Sequence, residues 1–252
     1  MIEVRDLKKQ FGAVNAVEGV SFTAGSGAIT GLLGPNGAGK TTTIRMIGTL
    51  ISIDSGSVKI GDIDVQADPD GARNASGLLT DSRGIYTRMT ARENIRYYAE
   101  LRGVDTARSE TVLARFSEWL DMKDILDRRT DGFSQGERMK VAITRALIHE
   151  PGTVILDEPT NGLDVMSTRA LRELIKRLKA EGRTVMFSSH VMQEVAALCD
   201  EIVIIARGRV TAQGSTGELL ALSKKNSLED AFIALTEMHE EQEQASANGN
   251  TT

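Results

Sequence analysis

The chain has 252 residues, of which 40% are hydrophobic and 26% charged, with a formal net charge of −5. A chain of this length can bury a substantial core, and its composition is that of an ordinary globular protein. The acidity gives no general pull toward nucleic acid or an anionic membrane, so no nucleic-acid partner is expected.

No apolar run approaches the roughly eighteen residues that cross a bilayer, and Met1-Ile2-Glu3-Val4-Arg5-Asp6 lacks the apolar core of a signal peptide. The single cysteine, Cys199, excludes an internal disulfide and points to a reducing compartment. Its apolar setting, Val195-Ala196-Ala197-Leu198, predicts a small buried hydrophobe and not a reactive thiol.

In chain order, Ile2-Glu3-Val4 and Val20-Ser21-Phe22 alternate as strands do, around a turn at Phe11-Gly12. The apolar run Ala28 to Leu33 predicts a strand, Gly34-Pro35-Asn36-Gly37-Ala38-Gly39-Lys40-Thr41-Thr42 a loop, and Thr43 to Ile47 a helix. Strand, glycine loop and helix in this order, with Gly-Lys-Thr after four spacer residues, form the P-loop pattern. Its glycines let consecutive amide N–H groups face one concavity, and the helix aims its positive end there. Such a concavity suits a polyphosphate. Lys40 would reach the β- and γ-phosphates, and Thr41 would offer a hydroxyl to magnesium.

Beyond the loop, Asp54-Ser55-Gly56 punctuates the chain before Val58-Lys59-Ile60, and Gly61-Asp62 turns into Ile63-Asp64-Val65. Residues from about 85 to 150 have helical periodicity instead. Val112, Leu113, Phe116, Trp119 and Leu120 form one stripe, and Met139, Ala142, Ile143, Ala146 and Leu147 form another, ended by Pro151-Gly152. Both stripes read as core.

β texture then returns in Thr153 to Asp157, Thr184 to Ser188, and the pair Ile202 to Ala206 and Val210 to Ala212, with a helix carrying Leu171, Leu174, Ile175 and Leu178 between the first two. This is a βαβ succession, and its continuous apolar runs suit strands buried on both faces of a parallel sheet. From about residue 237 the tail is acidic and polar, which predicts disorder.

Two constellations carry chemistry. Asp157-Glu158 follows the buried run Val154-Ile155-Leu156, and the carboxyl ends of parallel strands are where ligands bind. One carboxylate there can hold a phosphate-bridging magnesium, and the next can polarise an attacking water. Ser134-Gln135-Gly136-Glu137 is a capping box, with Ser134 as N-cap and Glu137 at N3, and the helix start that it caps is a second anion-binding end.

Taken together, these motifs resemble the ATP-binding subunits of ABC transporters, nearly to residue 236. Gly34 to Thr42 stands at the family's Walker A, Phe133 to Glu137 at its signature motif, and Val154 to Glu158 at its Walker B, with Ser134 lying 23 residues before Asp157. Asn161-Gly162-Leu163-Asp164 looks like the D-loop, His190 like the switch histidine, and Phe11 like the aromatic that stacks on adenine.

The resemblance implies an α/β P-loop NTPase core (1–84 and 151–222) with a mostly parallel sheet, flanking helices and an antiparallel β subdomain. To this it adds a helical subdomain (85–150) and a C-terminal helix (226–236), all within one domain, 1–236. It implies that Phe11, Asn36, Gly37, Ala38, Gly39, Lys40, Thr41 and Thr42 bind ATP, and that Thr41, Asp157 and Asp81 serve Mg2+. It gives Glu158 the role of general base, with Lys40 and His190 at the γ-phosphate.

In such families two subunits, alike or homologous, close head to tail, so that Ser134 and Gly136 of one cap the ATP held by the other while Asp164 links the two sites. Separate membrane-spanning permease subunits would then hold the protein at the inner face of the membrane, in the cytoplasm. Gly84 to Asn94 and Ser227 to Phe232 resemble the branch that includes sodium-extruding exporters.

The pattern departs from the family at Gln135 (usually glycine), Glu137 (usually glutamine) and Asp81 (usually the Q-loop glutamine). A long side chain and an added charge would stand near the incoming phosphate, and Asp81 has less reach to the metal. Two other readings are a soluble ATPase with the same head, working on DNA or ribosomes, and a weakly hydrolysing regulatory subunit. The first would show long coiled-coil insertions or a second head. The second is at odds with the intact Lys40, Asp157, Glu158 and His190.

Overall fold

The computed structural model describes the backbone of residues 1–80 and 84–249. Strands β1 (Ile2–Phe11), β2 (Val14–Ala24), β4 (Ser55–Ile60) and β5 (Ile63–Asp64) make an antiparallel sheet in the order β2-β1-β4-β5. A second sheet contains β3 (Ile29–Leu33), β6 (Ser76–Leu79), β7 (Thr153–Leu156), β8 (Thr184–Ser189), β9 (Glu201–Ala206) and β10 (Arg209–Gly214), in the order β10-β9-β3-β8-β7-β6. Its neighbouring strands are all parallel except the β9–β10 pair.

A parallel sheet must be covered on both faces, and the alternation of side chains along each strand shows how this is done. Val154, Leu156, Val185, Phe187, Ile202 and Ile204 point into one apolar cluster with the helices. Ile155, Met186, Val203 and Ile205, the residues between them, point into a second cluster. That second cluster is closed by the antiparallel sheet, through Ile2, Val4, Val20 and Val58, and by Ile44 and Ile47 of α1 (Lys40–Ile47).

The helical stretch comprises α3 (Ala91–Leu101), α4 (Thr106–Trp119) and α5 (Gln135–Leu147). Their apolar stripes join the first cluster, so Phe116 and Leu156 belong to one continuous core. On the outer side of that core, Trp119 receives two guanidinium groups, from Arg115 at 5.2 Å and from Arg177 of α6 (Val165–Ala180) at 5.4 Å, which ties α4 to the βαβ region.

Short elements escape the sequence reading, among them α2 (Pro69–Ala75), β6, α7 (Met192–Leu198) and α8 (Thr216–Ser223). Each spans about two helical turns or four strand residues, too little chain for periodicity to register. The last helix, α9, runs from Leu228 to Gly249 and so continues past residue 237, where composition predicts disorder. Its first turns bury Leu228, Ala231 and Leu235. The following residues are rich in the strong helix formers Glu, Gln and Ala, which propagate a turn once it is nucleated.

Phe116 is fully buried and meets Trp119 edge to face, with ring centroids 5.3 Å apart. Phe116→Ala is expected to destabilise the protein by about 3–5 kcal/mol, read as a lower urea midpoint with unchanged slope.

Candidate nucleotide site

The site lies at the carboxyl edge of the parallel sheet, where β3, β8 and β7 run side by side in register. β3 feeds the loop from Gly34 into α1. Gly39 caps this helix with φ near 101°, and a Cβ there would come within 2.5 Å of the Ala16 carbonyl, so both backbone angle and space require glycine. The loop and the residues after it open onto a cleft of about 480 Å3 lined by Asn36, Gly37, Ala38, Gly39, Lys40, Thr41 and Thr42, with Glu158, Asn161 and His190 facing them.

Lys40 is almost fully buried. Its ammonium donates to the Gly34 carbonyl at 2.7 Å and the Pro35 carbonyl at 3.2 Å, and lies 3.2 Å from Glu158 Oε1. The other Glu158 oxygen, Oε2, is 2.9 Å from His190 Nδ1. A cation, a carboxylate and an imidazole are thus linked in one chain along the wall of the cleft. Glu158 has φ near 44°, the left-handed region that a residue with a Cβ seldom adopts. Strain of this kind persists only where the surroundings over-determine it, and it clusters at working sites.

Thr41 Oγ1 donates to Asp157 Oδ1 at 3.2 Å, and Ser188 Oγ donates to the same oxygen at 2.7 Å. The pair Thr41 and Asp157 is an all-oxygen donor set beside a phosphate loop, which fits a small hard dication such as Mg2+. Among the described residues, no group of three His, Cys, Asp or Glu side chains could hold a metal. Such an ion would therefore complete its shell with phosphate oxygens and water, as magnesium ordinarily does in phosphate sites. Asp81, the third residue expected near the metal, lies outside the described residues.

The other expected residues lie apart from this cleft's lining. Phe11 is half exposed at the end of β1, with the Lys9 ammonium 5.5 Å from its ring. It pairs across the hairpin with Val14, which does line the cleft alongside Asn15 and Ala16. No sequence motif marks those three β2 residues, because only the fold of the antiparallel sheet carries them to the loop.

Ser134 caps α5 as expected, its Oγ accepting from the Glu137 amide at 3.2 Å while Glu137 Oε2 accepts from the Ser134 amide at 2.8 Å. Arg128 donates to Glu137 Oε1 at 2.9 Å. Partial burial pushes the Glu137 carboxyl up, but the Ser134 and Arg128 contacts outweigh it and hold the group below the usual range. The added charge at this position is therefore turned back onto its own helix and neutralised by Arg128.

Gln135 lies over Gly162, whose ideal Cβ position is 3.8 Å from the Gln135 Cδ. Gly136 is buried. A Cβ there would stand 2.2 Å from Ser167 Oγ and 3.3 Å from Asp164 Oδ2. Asp164 caps α6, accepting from the Ser167 amide at 2.9 Å and the Ser167 hydroxyl at 2.8 Å, and these bonds hold its carboxyl below the usual range. The glycine thus lets two helix starts touch.

Cys199 is partly buried against the apolar core, and burial pushes its thiol far up, which keeps it from forming the reactive thiolate. No described helix is long and apolar enough to cross a membrane.

A phosphate loop joined to a lysine, two acids and a histidine on a parallel α/β sheet defines a P-loop nucleotide-binding protein. Comparisons narrow the class. A family model described as ABC transporter matches residues 17–161. The chain is 39% identical over 239 residues to the ABC transporter ATP-binding protein NatA of Bacillus subtilis, covering 93% of this chain and 97% of that one. It is 33% identical to the daunorubicin/doxorubicin resistance ATP-binding protein DrrA of Streptomyces peucetius, covering 98% of this chain and 73% of that one. A solved ATP-binding subunit of an ABC transporter superposes with a TM-score of 0.86 at 31% identity, covering 94% of this chain and 99% of that one. The chain belongs to the ATP-binding subunits of ABC transporters and is an ATPase of that family.

Gly136→Ala is expected to cost about 1–3 kcal/mol by forcing Ser167 from Asp164, seen as a lower melting temperature. A melting temperature equal to that of the parent would show that the two helix starts separate freely.

Proposed function

We propose that the protein powers a membrane exporter by binding ATP, closing on a second ATP-binding subunit and hydrolysing the nucleotide. The observation that carries the hydrolytic part is the continuous chain Lys40–Glu158–His190 facing the phosphate loop in one cleft. Polyphosphate oxygens compete with Glu158 and the loop carbonyls for the Lys40 ammonium, so nucleotide binding exchanges one set of charged contacts for another. Glu158, freed from Lys40, takes a proton from the attacking water. His190, hydrogen-bonded to it, orients the carboxylate and faces the γ-phosphate.

Thr41 and Asp157 would hold Mg2+, which when bound would neutralise charge on the phosphates. Phe11 and Val14, paired across the turn end of the β1–β2 hairpin and both exposed, offer an apolar face for adenine. Ser134 and Gly136 start a helix whose free amides and dipole suit the phosphates of a second subunit's ATP. Closure and release then form a two-state element driven by nucleotide.

Export as the direction of transport is supported by relatives named for drug resistance. Sodium as cargo is supported by the resemblance of Gly84 to Asn94 and Ser227 to Phe232 to the sodium-extruding branch. The partners in this reading are separately encoded permease subunits, which keep the chain at the inner face of the cell membrane.

Glu158→Gln should lower ATP turnover by about 100-fold or more while nucleotide binding is kept, measured as phosphate release and equilibrium binding. Turnover equal to the parent would remove Glu158 from the role of base. Phe11→Ala should weaken ATP binding by about 0.5–1.5 kcal/mol, roughly two- to tenfold in Kd. Unchanged affinity by calorimetry would put the adenine elsewhere.

A further inference from the structure

β8 ends in Ser188-Ser189 just before His190, and Ser188 is fully buried in a strand whose preceding residues, Val185, Met186 and Phe187, are all apolar core. A buried hydroxyl in such a strand needs partners, and here both belong to the acidic pair. Ser188 Oγ donates its one proton to Asp157 Oδ1 at 2.7 Å and accepts from the Glu158 amide at 2.8 Å. Thr41 reaches the same Asp157 oxygen only at 3.2 Å, so the shorter bond to it comes from Ser188.

The register explains the placement. Leu156 pairs with Phe187 across β7 and β8, and Leu32 pairs with Ser188 across β3 and β8. Ser188 therefore stands between the strand that feeds the phosphate loop and the strand that feeds the acids.

We propose that Ser188 is a positioning residue for ATP hydrolysis, its hydroxyl setting the Asp157 carboxylate for the metal–nucleotide and anchoring the Glu158 amide so that the base keeps its left-handed backbone turn. The proposal rests on the roles assigned above to Asp157 and Glu158. Without the hydroxyl, the partly buried Glu158 N–H is left without this acceptor at a residue whose φ is already unfavourable, and Asp157 loses the shorter of these two donors. Both changes act on orientation, since Ser188 does not line the cleft. The adjacent Ser189 serves the same strand end differently, its Oγ accepting from the Val191 amide at 3.0 Å and shaping the turn that carries His190.

The test uses the full chain with Ser188→Ala and Ser188→Thr, measuring hydrolysis, the Mg2+ concentration that half-saturates it, ATP binding in chelator, ATP binding with Mg2+ present, and melting. For Ser188→Ala the expected result is a kcat lower by about tenfold or more and a Mg2+ requirement raised several-fold, with metal-free ATP binding within about twofold of the parent. The extra ATP affinity that Mg2+ confers should shrink in the same variant. Ser188→Thr, which keeps the hydroxyl, should recover most of both losses.

Parent-like kcat and Mg2+ requirement in Ser188→Ala would overturn the proposal. A parallel loss of metal-free ATP binding and of melting temperature would also overturn it, by making the hydroxyl merely structural. Asp157→Asn and Glu158→Gln, run alongside, separate the two layers. If those variants hydrolyse ATP as the parent does, the roles given to the acids fail, independently of Ser188.

Discussion

The arrangement depends on the in-register alignment of three parallel strands, β3, β8 and β7. Each ends at the same edge of the sheet, and each delivers a different chemical group there: the phosphate loop and Lys40 after β3, the serines and His190 at the end of β8, and Asp157 and Glu158 after β7. A slip of one residue would turn every side chain of a strand to the opposite face and exchange its core residues between the two apolar clusters. Burial on both faces therefore locks the register, and the locked register sets the distances in the site. The hydrophobic core and the polar edge are two consequences of one alignment.

Polar groups at that edge are held by more than one partner. Lys40 is shared between two carbonyls and Glu158, and Asp157 Oδ1 between Ser188 and Thr41. Thr160, two residues beyond Glu158, donates to Glu194 Oε2 at 2.7 Å, and the buried Glu194 also meets Arg172 at 3.4 Å. That contact fastens the turn after the acids to α7 and α6, the elements on either side of the His190 strand. Such bonding limits the orientations these groups can take, which is what a reaction dominated by positioning and electrostatics requires.

The start of α5 is organised on the same principle, and its residues Ser134 and Gly136 do not line this cleft. Its capping box and the Arg128–Glu137 pair satisfy the helix start locally, while Gly136 lets α5 press against the capped start of α6. Gln135 and Glu137, which stand out against the family pattern, are thereby accommodated within the chain: one lies over Gly162, and the other is neutralised by Arg128.

Much of this protein is written in local sequence. The phosphate loop, the buried strands before and after it, the capping box and the helical stripes are local patterns, and local sterics and periodicity determine them whatever lies around. The short elements α2, β6, α7 and α8 carry too few residues to show a period. The helical extension of α9 beyond residue 237 reflects intrinsic propensity acting on a packed start, which mean composition hides. What only the tertiary structure decided is which groups meet. Ser188 beside Asp157 and Glu158, Val14 to Ala16 beside the loop, and Gly136 against Ser167 each join segments separated by about twenty residues or more, and strand order and register, which no single stretch of chain encodes, bring them within reach.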